Sequence, residues 1–551
     1  MPADAIVIHG HVYQPPRHDP RSGAVPVEPT AAPFHDWNAR ITAECYRPNS
    51  FARIVDDQDR ITKIVNNWER MSFDLGPTLA HWLATEAPEV LARMIEGDRV
   101  GRTAVAHPYH HAILPLADPR DALTEVRWGA ADFRHRFGRQ PEGMWLAETA
   151  IDPAVAAMLV AEGYEFTILA PHQVTSHPGA GRFGRTSEGL GVVVYDGSVS
   201  HDLAFGSLLA DTNALVDRLS GGMDGGVAVA AVDAETFGHH HHFTERGIAH
   251  ALFELAPQRG MATGPLIDLF RAGTPVDVGA VTTSSWSCAH GLGRWREDCG
   301  CSTDGPDEFS QAWRGPLRAS LELLRSHSME VFARRGAGVF HDPWEARDDY
   351  GSVLADPTAW EDFVERHVRT LASVDEARML LRSQEATLAS FTSCAWFFAD
   401  LARREVAIVL QEAAHSARLL AALDAPAPLA QARDLLAEAR SNDPGLPTGR
   451  EVWDWALDAE IAEPPVRSVP EPLQRVLDRL VDGATGTDDA RAAAEEAVAV
   501  IEAVKRSGRT VDVTTAQERV YDHLVTGGRS IELSLLADAL GLAPSVDQTV
   551  R

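Results

Sequence analysis

Two carboxylates in this 551-residue chain stand at the ends of strand-like apolar runs, each among aromatic or histidine neighbours. Glu148 follows Gly143-Met144-Trp145-Leu146-Ala147, and Asp233 follows Val229-Ala230-Ala231-Val232 and precedes Ala234-Glu235-Thr236-Phe237-Gly238-His239. An acid beside a tryptophan at a strand's C-terminal end contributes little to a core. It suits glycosidic-bond cleavage, in which one carboxyl group protonates the leaving oxygen and another acts as nucleophile or base.

Other strand ends carry groups of the same kind. The first run ends in His9-Gly10-His11-Val12-Tyr13-Gln14, and two histidines at i and i+2 point to one side of a strand. Further on come His107-Pro108-Tyr109-His110-His111, Trp145, Pro171-His172-Gln173, His239-His240-His241-His242, Ser285-Trp286 and Arg294-Trp295. Any one histidine or tryptophan at such a place is ordinarily structural. Six strand ends in order, each offering polar or aromatic groups, describe a cleft. Its candidate substrate-binding residues are His9, His11, His111, Trp145, His172, His239, Trp286 and Trp295. Asp152 before Pro153 reads as a helix cap, and Glu235 reads the same way in preference to orienting a neighbour.

These groups need a frame. Strands are expected at Ala5–His9, Arg102–Ala106, Gly143–Ala147, Phe166–Ala170, Val192–Tyr195, Val227–Val232 and Val276–Val281, with helices such as Leu79–Glu96, Arg120–Phe137 and Pro153–Glu162 between them. Several of the runs are continuously apolar, as in a parallel sheet covered on both faces. The fold class is therefore α/β, a β/α barrel with its site at the C-terminal strand ends. After about Trp313 strand signals nearly vanish, and Leu317–Arg334, Trp360–Leu371, Glu376–Leu388 and Ala402–Leu423 read as amphipathic helices. Breaks fall at Asp424–Pro428, Asn442–Pro447 and Glu463-Pro464-Pro465, and further helices at Arg491–Lys505 and Ser530–Leu540. The division expected is a catalytic barrel over 1–312, a helical domain over 313–465 and a helical tail over 466–551. The segment His341 to Tyr350 is a candidate contact at the barrel mouth.

The formal net charge of −29 argues against nucleic acid and anionic membranes as partners, since both require a cationic surface. No membrane-spanning run and no signal peptide is visible, and five cysteines fit a reducing cytoplasm. Cys288, Cys299, Cys301 and His290 have the donor types for zinc, but their spacing matches no common zinc module. Packing thiols or a redox-labile pair are expected instead, with no metal and no cofactor. The oligomeric state is not readable.

The motifs together resemble glycoside hydrolase family 57, the α-glucan-active group. His9–Gln14 resembles its first region, Gly101–Leu116 the second, Trp145–Glu148 the nucleophile region, Asp233–His239 the acid/base region, and Ser285-Trp286 through Trp295, less closely, the fifth. The resemblance implies an incomplete seven-stranded barrel with helical domains behind it. It implies Glu148 as nucleophile and Asp233 as general acid/base of a retaining hydrolase or transglycosylase. His11, His111, Trp145, His239 and Trp286 would line the subsites for an oligo- or polysaccharide. The chain departs from the family at Gly101-Arg102-Thr103-Ala104, where a glutamate is common, and at the histidine run after Gly238. Two other readings stay open: a metal-dependent carbohydrate hydrolase or deacetylase with zinc on His9, His11, His239 and Asp233, and a non-catalytic glycan-binding barrel.

Overall fold

The computed structural model describes residues 3–221, 225–306, 308–458, 481–483, 490–507, 513–526 and 530–542. Seven short parallel strands form its centre: β1 (Ala5–Val12), β2 (Ser72–Leu75), β3 (Ala104–Val105), β4 (Gly143–Met144), β5 (Phe166–Leu169), β6 (Gly191–Val194) and β7 (Val227–Asp233). Regular pairing runs β7-β1-β2-β3 and β4-β5-β6. The two halves join where Ala106 bridges Met144. The ring closes between β6 and β7 through the Asp196 N–H to the Val229 carbonyl at 2.7 Å, with the Ala231 N–H on Ser200 Oγ at 3.0 Å beside it. This is an incomplete (β/α)7 barrel, with a seam in place of a seventh ladder.

Side chains alternate as the strand period requires. On β1, Ile6 and Ile8 pack outward with Leu79, Met94 and Val232, while Val7 packs inward with Trp145, Ile168 and Val229. Outside lie helices such as α1 (Pro119–Phe137), which starts where the Asp118 carboxylate accepts from the Arg120 N–H and stops at left-handed Gly138. Asp152 caps Pro153–Ala161 through the Val155 N–H, as expected.

Two expectations for the sheet need correction. Val276–Val281 shortens to Val276–Gly279 and pairs with Gly184–Thr186, which runs antiparallel to β6, so it lies outside the ring. Its place among the seven belongs to Ser72–Leu75, whose four residues, two of them polar, give no apolar run. The single helix expected over Leu79–Glu96 is two, Pro77–Glu86 and Pro88–Gly101, because Pro88 cannot continue the first.

The helical part is built on α2 (Arg314–Val339), α3 (Val374–Ala389) and α4 (Arg404–Ala422). Its core is shared with loops at the barrel's C-terminal end, where Ile113, Ala147, Ala150, Leu292 and Trp295 pack with Trp313, Leu317 and Trp396. Pro343–Asp349 does not reach the mouth. It packs on α1, with buried Arg347 paired to Asp121 at 2.8 Å and Asp348 accepting from Arg120 and Arg127. The helices Ala490–Ser507, Thr514–Val525 and Ile531–Ala539 form a further core with Ile61 and Ile64 of the hairpin Ala52–Val55/Ile61–Val65. Glu463-Pro464-Pro465 lies outside the described residues. No helix among the described residues is long and apolar enough to cross a membrane.

Candidate active site

The ladders place the first three groups. β1 sits between β7 and β2, in a register that sets His11 beside Asp233 on one side and beside Asp74 on the other. Side chains at one level of a parallel sheet share a face, so a histidine lies between two carboxylates. His11 donates from Nδ1 to both Asp74 oxygens, at 3.1 and 2.9 Å. Burial opposes charge on His11, but Asp74 and, more weakly, Asp233 and Glu235 outweigh it and push the imidazole up to about 9. Burial likewise opposes charge on Asp74, yet His11 and the His9 hydrogen bond hold its carboxyl well below the usual range. The outcome is a buried imidazolium–carboxylate pair.

A charged His11 has both ring nitrogens protonated, so Nε2 donates to His111 Nε2 at 3.1 Å. Burial, then His107 and His11, keep His111 neutral, and its Nδ1 donates to Ser393 Oγ at 2.6 Å. Tyr13 stacks on His111 at 3.8 Å. His9 is fully buried, held neutral by desolvation, donates to Asp74 Oδ1 at 3.2 Å and stacks on Trp145 at 4.6 Å.

Glu148 lies in the turn Ala147–Thr149 that follows β4. Glu148 and Thr149 both hold left-handed backbone, φ +56° and +50°. A β-branched residue in that region is strained, and such strain clusters at functional sites. Gln173 fastens the turn: Thr149 Oγ1 donates to Gln173 Oε1 at 2.8 Å, and Gln173 Nε2 donates to the Thr149 carbonyl at 2.8 Å and the Ser284 carbonyl at 3.2 Å. One oxygen of the Glu148 carboxylate, Oε2, accepts from Trp286 Nε1 at 3.0 Å and Ser287 Oγ at 2.6 Å. The Trp286 amide donates to the Glu148 carbonyl at 3.0 Å, and its indole meets Trp145 edge-on.

Asp233 opens to solvent at the cleft while protein encloses its other sides. Desolvation, followed by the charges of Glu235, Glu148 and Asp74, pushes its carboxyl up to about 7 against the opposing pull of His11. Glu235 caps no helix, contrary to expectation. It accepts from Tyr46 Oη and from Gln14 Nε2 at 3.0 Å, so it orients neighbours.

The remaining expected residues divide. His172, on the rim, donates to the Ser285 carbonyl at 2.9 Å and braces the segment that carries Trp286. His239 pairs with Glu44 and lies edge-on to Trp37, which turns it toward the 28–46 loop. Trp295 is a correction: it is fully buried, donates to the Ser393 carbonyl at 3.2 Å and belongs to the helical core. The zinc set His9, His11, His239 and Asp233 does not assemble; His11, His107 and His111 are the barrel residues that come close together. Asp74, Tyr13, Ser287, Ser393 and Gln173 were not anticipated as site residues. The Gly76-Pro77 break after Leu75 was the one available sign of the Asp74 strand.

A wide groove lined by Arg120, Arg127, Glu162, Asp348 and Arg366 contains none of these groups, and its charges are largely paired with one another. Near the cleft, Cys288, His290, Cys299 and Cys301 converge, which their spacing did not foretell.

Comparison with known proteins gives two family matches and several likenesses of fold. Residues 31–266 match the family model described as glycosyl hydrolase family 57, and residues 309–464 match one described as a domain of unknown function (DUF3536). An 89-residue stretch, 16% of this chain, is 26% identical to alpha-amylase 1 of Dictyoglomus thermophilum and spans 13% of that protein's length. The exo-type maltose-forming amylase of Pyrococcus sp. ST04 is similar in fold, with a TM-score of 0.62 at 14% identity over 98% of this chain and 96% of that one. A branching enzyme from Thermococcus kodakaraensis gives a TM-score of 0.49 at 13% identity over 78% of this chain and 94% of that one. Residues 31–266 thus carry a match to glycosyl hydrolase family 57, and the helical part that follows carries the match to the domain of unknown function.

Proposed function

We propose that this chain is a retaining glycoside hydrolase or transglycosylase acting on α-glucans, with Glu148 as nucleophile and Asp233 as general acid/base. The observation that carries the reading is the unlike treatment of two carboxyl groups at one barrel mouth. Glu148 is clasped by two donors on a strained turn. Asp233 is raised to about 7 and so remains partly protonated at neutral pH. Unlike surroundings are what a nucleophile and a proton donor need.

In the first step Glu148 attacks the anomeric carbon while Asp233 gives its proton to the departing oxygen, leaving a glycosyl ester on Glu148. In the second, Asp233, now a carboxylate, takes a proton from water or from an acceptor sugar hydroxyl. That oxygen attacks the anomeric carbon and releases Glu148. Two inversions leave the configuration retained. His11 and His111, whose ring nitrogens are taken up by Asp74, each other and Ser393, brace the cleft floor, and half-buried Trp286 is placed to stack on a sugar face. Trp145 and His9 support them from beneath. The five cysteines, none in a disulfide, support a reducing compartment, the cytoplasm.

Product analysis on amylose, glycogen and maltooligosaccharides, with proton NMR of the first-formed anomer, tests this. Wild type is expected to give the α anomer or a transferred chain. Asp233→Asn should lose about 10²- to 10⁴-fold in rate, and Glu148→Gln should fall to background. No product from any glucan, or a Glu148→Gln variant as active as wild type, would overturn the assignment.

A further inference from the structure

We propose that Cys288, His290, Cys299 and Cys301 bind a structural zinc ion that fixes the loop carrying Trp286 and Ser287 onto Glu148. Cys288 Sγ lies 3.9 Å from both Cys299 Sγ and Cys301 Sγ, and Cys301 Sγ lies 3.4 Å from His290 Nδ1. All four donor atoms fall within 4.8 Å of one another. A tetrahedral zinc with its usual bond lengths spaces its sulfurs by about 3.8 Å and a sulfur–nitrogen pair by about 3.5 Å. The four side chains therefore already outline a Cys3His tetrahedron. The Cys288–Cys299 and Cys288–Cys301 separations match its edges.

The backbone is shaped for the same purpose. The two halves of the site are Cys288-Ala289-His290-Gly291 and Cys299-Gly300-Cys301, with Gly291 and Gly300 at φ +73° and +76°. A Cβ at Gly293 would stand 2.9 Å from the Cβ of Cys299, so only glycine lets the halves approach.

A second observation points to an anion at this spot. Arg314 is fully buried beside the cluster. Its guanidinium donates to the Cys301 carbonyl at 2.8 Å and the Phe398 carbonyl at 3.5 Å, and reaches Cys299 Sγ at 4.0 Å; none of these partners is a carboxylate. A buried cation needs a counter-charge. Zinc with three thiolates and a neutral imidazole carries one net negative charge, which Arg314 would balance. Binding releases the three thiol protons and leaves the metal's oxidation state unchanged.

The position gives the ion its function. Cys288 directly follows Trp286-Ser287, the pair that donates to Glu148 Oε2. Cys288 also belongs to the core that joins the barrel loops to the helices. The ion would hold a loop otherwise short of regular secondary structure, and with it the clasp.

Full-length protein, purified and exhaustively dialysed, is expected to hold one zinc per chain by plasma mass spectrometry. An organomercurial should release that zinc to a chromogenic indicator as the thiols react. His290→Ala and Cys301→Ser, both near the surface, should keep wild-type far-UV circular dichroism and lose nine-tenths or more of the zinc; Cys288→Ser tests the buried ligand. Cobalt(II) in place of zinc should show thiolate-to-metal charge transfer and a tetrahedral ligand-field band. Wild-type protein with no stoichiometric zinc would overturn the site. So would a disulfide among these three cysteines by mass spectrometry, or full zinc retention in both surface variants. The clasp itself rests on the proposed nucleophile: His290→Ala should lower kcat at least tenfold with KM little changed. Wild-type kcat in a zinc-free, folded variant would overturn that role alone, because zinc content is read without any assay of activity.

Discussion

At the scale of single residues the site is a matter of where protons rest. His11 holds one between two carboxylates, and Asp233 holds another because its surroundings disfavour charge. The donor must be protonated for the first step, so kcat/KM is expected to fall as pH rises through about 7. The charge on His11 holds Asp233 lower than its other neighbours would set it. His11→Gln should therefore shift that falling limb to higher pH. A pH–rate profile of both proteins checks the sign. A limb that stays put would mean that another group supplies the proton. Glu148 and Asp233 were legible from their neighbours in sequence. Asp74 was not: it lies in a four-residue strand, and its importance comes from pairing with a residue 63 positions away.

At the scale of elements, strands gave the clearest signal where they are apolar on both faces. β1, β5, β6 and β7 fall where continuous apolar runs put them. The Val276 run also reads as a strand but joins an appended hairpin, since a strand's own residues do not say which neighbour it will find. Trp295 misled for a related reason: a tryptophan after a strand reads alike whether it faces a cleft or a core. The turn bearing Glu148 depends on one side chain. Gln173 ties that turn to the Ser284 segment and also accepts from the Ala170 N–H at 2.9 Å, at the end of β5. Gln173→Ala would leave Thr149 and Ala170 groups buried without partners, each costing about 1–3 kcal/mol. The expected result is a lower melting temperature and, since the left-handed pair at Glu148 and Thr149 would relax, a kcat loss larger than the change in KM. Unchanged melting would show that water replaces the amide.

Across the whole molecule, barrel and helices are joined at the cleft. Ser393, between α3 and α4, accepts from His111, and its own N–H donates to the His111 carbonyl at 3.1 Å. The helical part was legible as helices, but this reach into the site was not, because Ser393 carries no motif. The proposed division at 312 thus separates folds and not functions. Expressed alone, residues 1–312 should expose Ile113, Ala147, Leu292 and Trp295, aggregate, and show no turnover. A monomeric, active 1–312 fragment by light scattering and product assay would refute that shared dependence.

The register of β1 against its two neighbours has a wider consequence. The row Asp74, His11, Asp233 is set by backbone hydrogen bonds between adjacent strands, and a slip by one residue would send His11 to the opposite face. Much of the proton inventory is thus written into the ladder, whereas Trp286 and its brace His172 sit on loops. Loop change can therefore reshape the rim of the cleft without moving the Asp74–His11–Asp233 row. A barrel that divides its labour in this way can diversify in substrate while its proton donor stays at one setting.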